Sequence, residues 1–298
     1  MGHDHHHDHH HHSPSNIKTA FFLNFGFTII ELIGGVLTNS MAIISDAIHD
    51  LGDSLSLGTS WFLQNKSEQK SNQTFTFGYR RFSLLGALIN SLVLVAGSLF
   101  ILSEAVPRLL NPEPAHAGGM LLLSLLGMAV NGAAVLKMKS GASMNEKVVS
   151  WHLLEDVLGW VAVFVVSVVM MFWDAAILDP LLSVLITLYI LMNVLKNLKK
   201  TLFLFLDAVP EEMDTEQIEQ SIRSISGVED THHTHIWSLD GEQHVLSTHV
   251  VLNEDISKAD MMQVKASIKE ALGAYPLEHI TIETECTTDD CSLTTVHH

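Results

Sequence analysis

Apolar residues fill the first two thirds of the chain in six stretches, running from Ile17 to Leu37, Met41 to Leu63, Phe82 to Val106, Met120 to Leu136, Val148 to Trp173 and Ile177 to Leu195. A helix rises about 1.5 Å per residue and the hydrocarbon layer of a bilayer is about 30 Å thick, so roughly 20 apolar residues cross it. Each stretch therefore predicts a transmembrane helix. The competing reading, a buried helical core in a soluble protein, fails on surface: six such segments within residues 1–206 leave too few polar positions to cover them.

Beyond Asp207 the pattern changes. Glu211 to Ile225 is polar with helical periodicity, and Ile256 to Leu272 is helical again. Val228 to Leu239 and Gln243 to Leu252 alternate as strands around an Asp240-Gly241 turn, and His279 to Cys286 reads as a third strand. The order αββαβ predicts a small antiparallel sheet with helices on one face. The expected fold is an all-α six-helix transmembrane bundle over residues 17–206 and an α+β domain over 207–298. A His-rich, disordered stretch, residues 1–16, precedes them.

Charge sharpens this division. Residues 1–206 carry 12 Lys and Arg against 14 Asp and Glu, whereas residues 207–298 carry 4 against 19. The net charge of −17 excludes a general nucleic-acid-binding role, which needs a basic face to meet phosphates, and points to cations as partners. Lys18, Lys66, Lys70, Arg80, Arg81, Lys137, Lys139, Lys147, Lys196, Lys199 and Lys200 flank the segments on one side, and Arg108 stands alone on the other. That bias predicts both termini and the acidic domain in the cytoplasm. Two cysteines, Cys286 and Cys291, rule out a disulfide framework, and no hydrophobic stretch near the start ends in a signal-peptidase-like site.

The candidate chemistry lies in the charges kept inside the apolar segments, because a carboxylate or imidazole at bilayer depth is costly unless paired, hydrated or coordinated. In the second segment His49 and Asp53 are four residues apart, and in the fifth His152 and Asp156 repeat the spacing. Four residues put both members of a pair on one helix face. If the two helices face each other, two imidazoles and two carboxylates converge as a tetrahedral set suited to Zn2+. Each pair taken alone also reads as polar glue between helices, and the duplication is what favours a metal site. Asp46 projects near the His49 face as an approach or supporting ligand. Glu155 flanks the other pair in a pathway or structural role, and Glu31 and Asp179 read as satisfying polar groups near helix ends or in the bundle.

These residues sit in a chain that resembles the cation diffusion facilitator family, close to its bacterial zinc-transporter branch. The likeness is carried by NSMAIISDAIHDLGD at Asn39 to Asp53, FGYRR at Phe77 to Arg81, Asn90, HLLED from His152, LDP at Leu178 to Pro180, and THIW then STHVVL in the tail. The resemblance implies six transmembrane helices, a metallochaperone-like cytoplasmic domain, homodimers, residence in the bacterial inner membrane and proton-driven zinc efflux. It assigns the transport site to His49, Asp53, His152 and Asp156. It also associates His at the first of these positions with a preference for zinc over cadmium. Ser83 stands where many members carry Glu, Glu155 replaces a small residue, and the second connection lacks the Asp/His cluster some members use.

In the tail, the resemblance implies cytoplasmic zinc ligands at positions matching His232, His249, His279, Glu283 and Glu285, although strand His and Glu are commonly just solvated. Cys286 and Cys291 read equally as added thiolate ligands or free thiols. His233 and His235 are weaker candidates, and His244 reads as a surface residue. The first twelve residues hold eight of the nineteen histidines. Their Asp-interrupted pattern favours a native metal-collecting segment over an expression tag.

Competing classes are a membrane metalloenzyme, disfavoured because no HExxH, Ser/His/Asp or Gly-rich phosphate arrangement stands out, and a membrane-anchored metal sensor. Within transporters, manganese, iron(II), cobalt, nickel or cadmium remain alternatives to zinc, because ligand identity restricts the metal without fixing it. No organic cofactor is expected. Deleting residues 1–12 is expected to raise the apparent zinc KM without abolishing transport, as measured by initial rates of vesicle uptake.

Overall fold

A computed structural model describes residues 14–67, 71–138, 144–253 and 256–286. The six apolar stretches are helices: α1 (Pro14–Thr38), α2 (Met41–Ser67), α3 (Arg81–Leu110), α4 (Ala117–Met138), α5 (Met144–Phe172) and α6 (Leu178–Phe205). Most outrun their apolar stretch, and α6 carries on through Lys196, Lys199 and Lys200. Among the described residues α1, α3, α5 and α6 each hold a stretch long and apolar enough to span a bilayer, and the apolar part of α4 is the shorter Ala117–Ala133. In α2 the carboxylates of Asp46, Asp50 and Asp53 interrupt the apolar run.

Chain contacts separate two units, the described residues of Met1–Asn65 with Gly86–Leu198 and those of Lys66–Leu85 with Lys199–His298. The first is inside-out relative to a soluble domain. Leu23, Val36, Leu37, Leu122, Phe172 and Trp173 are exposed, while Thr28, Glu31, Ser45, Asp46, Asp50, Asp179 and Thr187 are buried. Such a surface is stable against lipid, which meets apolar side chains and cannot satisfy polar ones.

Helix α2 runs between two apolar clusters. Its Ala42 and Ile43 join Met120 of α4 and Trp160 and Val163 of α5, and its Met41 joins Ile101 and Ala105 of α3, with Ile44, Ile48 and Val184 packed around them. Small residues permit this closeness, since the apolar drive that pulls helices together in water is absent in lipid and packing must replace it. A Cβ on Gly127 of α4 would lie 2.2 Å from the Trp160 ring, so α4 and α5 meet at van der Waals distance there only because that position is glycine.

The second unit holds α7 (Thr215–Arg223), β1 (Val228–Ser238), β2 (His244–Leu252), α8 (Lys258–Ala271), a 3-10 turn (Leu272–Ala274) and β3 (Leu277–Cys286). The side chains of Asp214 and Ser257 cap α7 and α8, which is why both helices start later than their periodicity suggests. Gly241, at φ 97°, turns the hairpin as expected of a position that favours glycine. Strand order is β1-β2-β3, with β2 central. The sheet is mixed, a correction to the antiparallel expectation: β1 and β2 pair antiparallel, but β2 and β3 pair parallel. The connection through α8 carries the chain back to the starting end of β2, so β3 runs alongside it in the same direction. Ile218 and Ile222 of α7 and Val264 and Ile268 of α8 pack with Ile236, Leu246, Val250 and Leu252, which covers one sheet face.

Gly127→Ala is expected to destabilise the bundle by about 1–3 kcal/mol, because the rigid indole cannot yield. Gly132→Ala, where a Cβ meets nothing within 4 Å, is expected to keep stability or raise it by up to about 1 kcal/mol. Thermal midpoints of the detergent-solubilised variants check the contrast.

Candidate metal centres

In the helical unit the α2 face carrying His49 also carries Asp53, and His49 Nε2 lies 3.8 Å from an Asp53 oxygen as the four-residue spacing requires. One turn earlier Asp46 is buried and within electrostatic reach of Asp50, Asp156 and Asp53. Its Oδ1 would stand 3.7 Å from a Cβ placed on Gly159 of α5, three residues beyond Asp156. The acidic face of α2 is therefore turned to the part of α5 that bears Asp156. His152 lies one turn before Asp156 on α5, and its side chain falls outside the described residues. Glu31 of α1 is 1% exposed and within electrostatic reach of Asp50, Asp46 and Asp156. Glu155 faces elsewhere, with its Oε1 accepting from the Tyr189 hydroxyl at 3.1 Å. A cavity of about 10 Å³ adjoins His49, with Ser45, Ser98 and Thr187 among its lining residues. That is the volume of about one water.

In the tail, strand register builds a second cluster. His232 of β1 pairs directly with His249 of β2, and His249 pairs with Glu283 of β3. Glu285, two residues on, shares the Glu283 face. Its carboxylate bridges the two imidazoles, with Oε1 2.6 Å from His249 Nδ1 and Oε2 3.2 Å from His232 Nε2, while a Glu283 oxygen stands 3.4 Å from His249 Nε2. Leu246, Val250 and Ile282 point to the helix-covered core, so alternation leaves this cluster on the opposite face.

The separations suit a metal. Two donors each about 2.0–2.2 Å from one tetrahedral zinc stand about 3.4 Å apart. His232, His249 and Glu285 offer donor atoms all within 4.8 Å of one another, and two imidazoles with a carboxylate match zinc's ligand preference. Burial supports this reading: the His249 side chain is 9% exposed and that of Glu285 12%, whereas Glu283 is 66% exposed and forms the rim.

The remaining tail candidates lie apart. His279 stacks edge-on against Phe77 with centroids 5.2 Å apart, four residues along β3 from Glu283, which is about 13 Å of strand. The Cys286 side chain and all of Cys291 lie outside the described residues, as does the His-rich start through Ser13. His244 is a correction: it is fully buried at the start of the central strand, with Nε2 3.0 Å from a Glu212 oxygen. His233, the weaker candidate, lies beside the cluster but outside the donor set of His232, His249 and Glu285. A β-bulge between His232 and His235 places it at φ 49°, and its ring lies 5.1 Å from that of His232 and 5.5 Å from that of His249. A bulge inserts a residue out of step with strand alternation, so periodicity alone cannot announce it.

Elsewhere in this unit, Asp230 binds Arg223 and the Thr231 amide. Partial burial pushes its carboxyl up, but these hydrogen bonds outweigh it and hold the group below the usual range. Stability from this contact is therefore present above the ordinary Asp pKa and lost as pH falls through the lowered value.

Residues 17–206 match the family model of the cation efflux transmembrane domain, and residues 210–286 match that of the cation efflux protein cytoplasmic domain. The chain is 32% identical over 289 residues to the cadmium, cobalt and zinc/H(+)-K(+) antiporter of Bacillus subtilis, covering 96% of this chain and 92% of that protein. It is 33% identical to the metal cation efflux system protein CzcD of Cupriavidus metallidurans, with coverage of 96% and 90%. To the zinc transporter ZitB of Pectobacterium atrosepticum it is 29% identical, with coverage of 100% and 94%.

His249→Ala is expected to weaken zinc binding in the tail by about 10- to 100-fold, whereas His279→Ala is expected to leave it unchanged. Titration calorimetry on full-length protein carrying Asp53→Ala, which removes the helical site from the heat signal, checks both.

Proposed function

Given that the chain belongs to the cation efflux, or cation diffusion facilitator, family of metal-cation transporters, we propose that it exports zinc from the cytoplasm in exchange for protons. One observation carries this reading: a His49–Asp53 pair lies on the helix turned, through Asp46, toward the part of α5 that bears Asp156, inside a bundle whose outer surface is apolar. The transport set is His49, Asp53, His152 and Asp156. The tail trio His232, His249 and Glu285 is a regulatory zinc site, the protein acts as a homodimer in a bacterial inner membrane, and both termini face the cytoplasm.

Charge balance gives the exchange its logic. With the imidazoles neutral, Zn2+ is offset by the two aspartates, so the loaded site is neutral. When the metal leaves, two imidazolium ions offset the same aspartates, and the site is neutral again. A site emptied of both would carry two negative charges in a low-dielectric layer, a state of high cost. Metal and protons therefore compete for the same groups. Exposing the set alternately to the two sides couples zinc exit to proton entry. The relatives' names supply cadmium and cobalt as further cargoes of the same charge.

In proteoliposomes with an acidic lumen, zinc is expected to accumulate, and collapse of the pH gradient is expected to stop it. Asp53→Ala is expected to reduce flux to that of empty liposomes while elution on size exclusion stays the same. Zinc flux indifferent to the gradient refutes proton exchange, and tight binding without any flux would establish a membrane-anchored sensor instead.

A further inference from the structure

Asp179 is the second residue of α6 and 2% exposed. Its carboxylate is spent on the first turn of α2. Oδ1 accepts from the Ser40 hydroxyl at 2.5 Å and the Ala42 amide at 3.3 Å, and Oδ2 accepts from the Met41 amide at 2.7 Å. The Ser40 hydroxyl in turn accepts from the Ile43 amide at 3.2 Å, so the first three amides of α2 are all satisfied. Five residues into α2, the Ser45 and Thr187 hydroxyls meet at 2.7 Å, which ties α2 to α6 a second time.

Helix initiation alone does not require this arrangement. Ser40 already provides α2 with a side-chain cap from its own chain segment, the usual solution at a helix start. A second cap drawn from a helix 138 residues away, with a carboxylate buried to provide it, does something a local cap cannot: it fixes where α2 begins relative to α6. An α-helix is stiff over this length, so its start sets the depth and rotation of every residue beyond it. His49 lies eight residues past Met41 and Asp53 twelve, or about 12 and 18 Å along the axis. A one-residue slip in the register of α2 would rotate both by about 100°.

We propose that Asp179 is a positioning residue of the transport cycle: by clamping the first turn of α2 to α6, it holds His49 and Asp53 in the orientation that binds metal. The inference rests on the transport reading for the identity of the site and adds to it a residue that touches no metal. Loss of the clamp acts on metal affinity, because it frees the α2 register that sets the orientation of His49 and Asp53 together. A residue needed only for folding would instead reduce the amount of functional protein, leaving the KM of the remainder unchanged.

The test compares wild type with Asp179→Ala, Asp179→Asn and Ser40→Ala, each purified as full-length protein. Two measurements are made: zinc KM and maximal rate in proteoliposomes, and the visible spectrum of bound Co2+ taken as a difference against Asp53→Ala to isolate the helical site. Asp179→Ala is expected to raise KM about tenfold or more, with maximal rate per folded transporter changing less than about threefold, and to weaken the tetrahedral cobalt bands. Asp179→Asn keeps one acceptor oxygen but turns an NH2 toward either the Met41 amide or the Ser40 and Ala42 donors, and is expected to lose part of the affinity, as is Ser40→Ala, which keeps both amide contacts and loses less.

Wild-type KM and cobalt bands in Asp179→Ala overturn the proposal. Should that variant not fold, wild-type values in both Asp179→Asn and Ser40→Ala overturn it equally. If wild type shows the tetrahedral bands but no flux, the transport reading fails, and the positioning role is decided by the spectra alone.

Discussion

A charge placed in hydrocarbon has to be met by protein, and that constraint organises the helical unit. Helix α2 carries Asp46, Asp50 and Asp53 within eight residues, and no lipid-facing position tolerates such a helix. It therefore runs between the Trp160 cluster and the Ile101 cluster and gives apolar residues to both. Glycines at the contacts and small polar residues such as Ser45 and Thr187 let the neighbouring helices close around it. The exposed leucines and phenylalanines of α1, α3, α4 and α5 are the complement of this arrangement.

Backbone groups obey the same rule at the lysine-poor end of the bundle. The chain passes from α1 to α2 through Asn39 at φ 53°, a left-handed conformation that asparagine tolerates better than most residues. Arg108 holds that joint, donating to both the carbonyl and side-chain oxygens of Asn39, and pairs with Glu113 at 3.2 Å. His116 caps α4 by accepting from the Gly119 amide, while its own amide donates to Thr38. The lone basic residue on that side thus serves a loop joint, which is consistent with its being exempt from the charge bias of the other side.

Much of this was legible in the residues because two physical periods are robust. Six apolar stretches became six helices, and alternation in the tail located three strands to within about two residues. What escaped was whatever depends on a partner distant in sequence. Nothing in HVLSTHVVL says that β3 will lie parallel beside it, and so nothing says that His244 is buried from both sides. Strand type alone could not separate His279 from Glu283 and Glu285, since all three share one face and only distance along β3 divides them. The bulge at His233 is invisible to period-2 reasoning. Asp179 read as a group satisfying polar atoms near a helix end, and the structure supplies the atoms: Ser40, Met41 and Ala42.

The two candidate centres differ in a way their surroundings explain. In the tail, solvent screens whatever charge a loaded site carries, so carboxylates there need only match the metal's geometry. Glu285 is held between His232 and His249, while Glu283 sits 66% exposed at the rim, where its charge is cheap to keep or lose. Inside the bundle the count of carboxylates is itself constrained, because each unbalanced charge is felt at low dielectric. Two aspartates against a divalent ion leave no residue of charge, whereas a single aspartate would leave one positive charge and a third ionised carboxylate one negative. Asp46 and Glu31 lie within electrostatic reach of Asp156, so further carboxylates crowd the same low-dielectric region and make that balance the stricter.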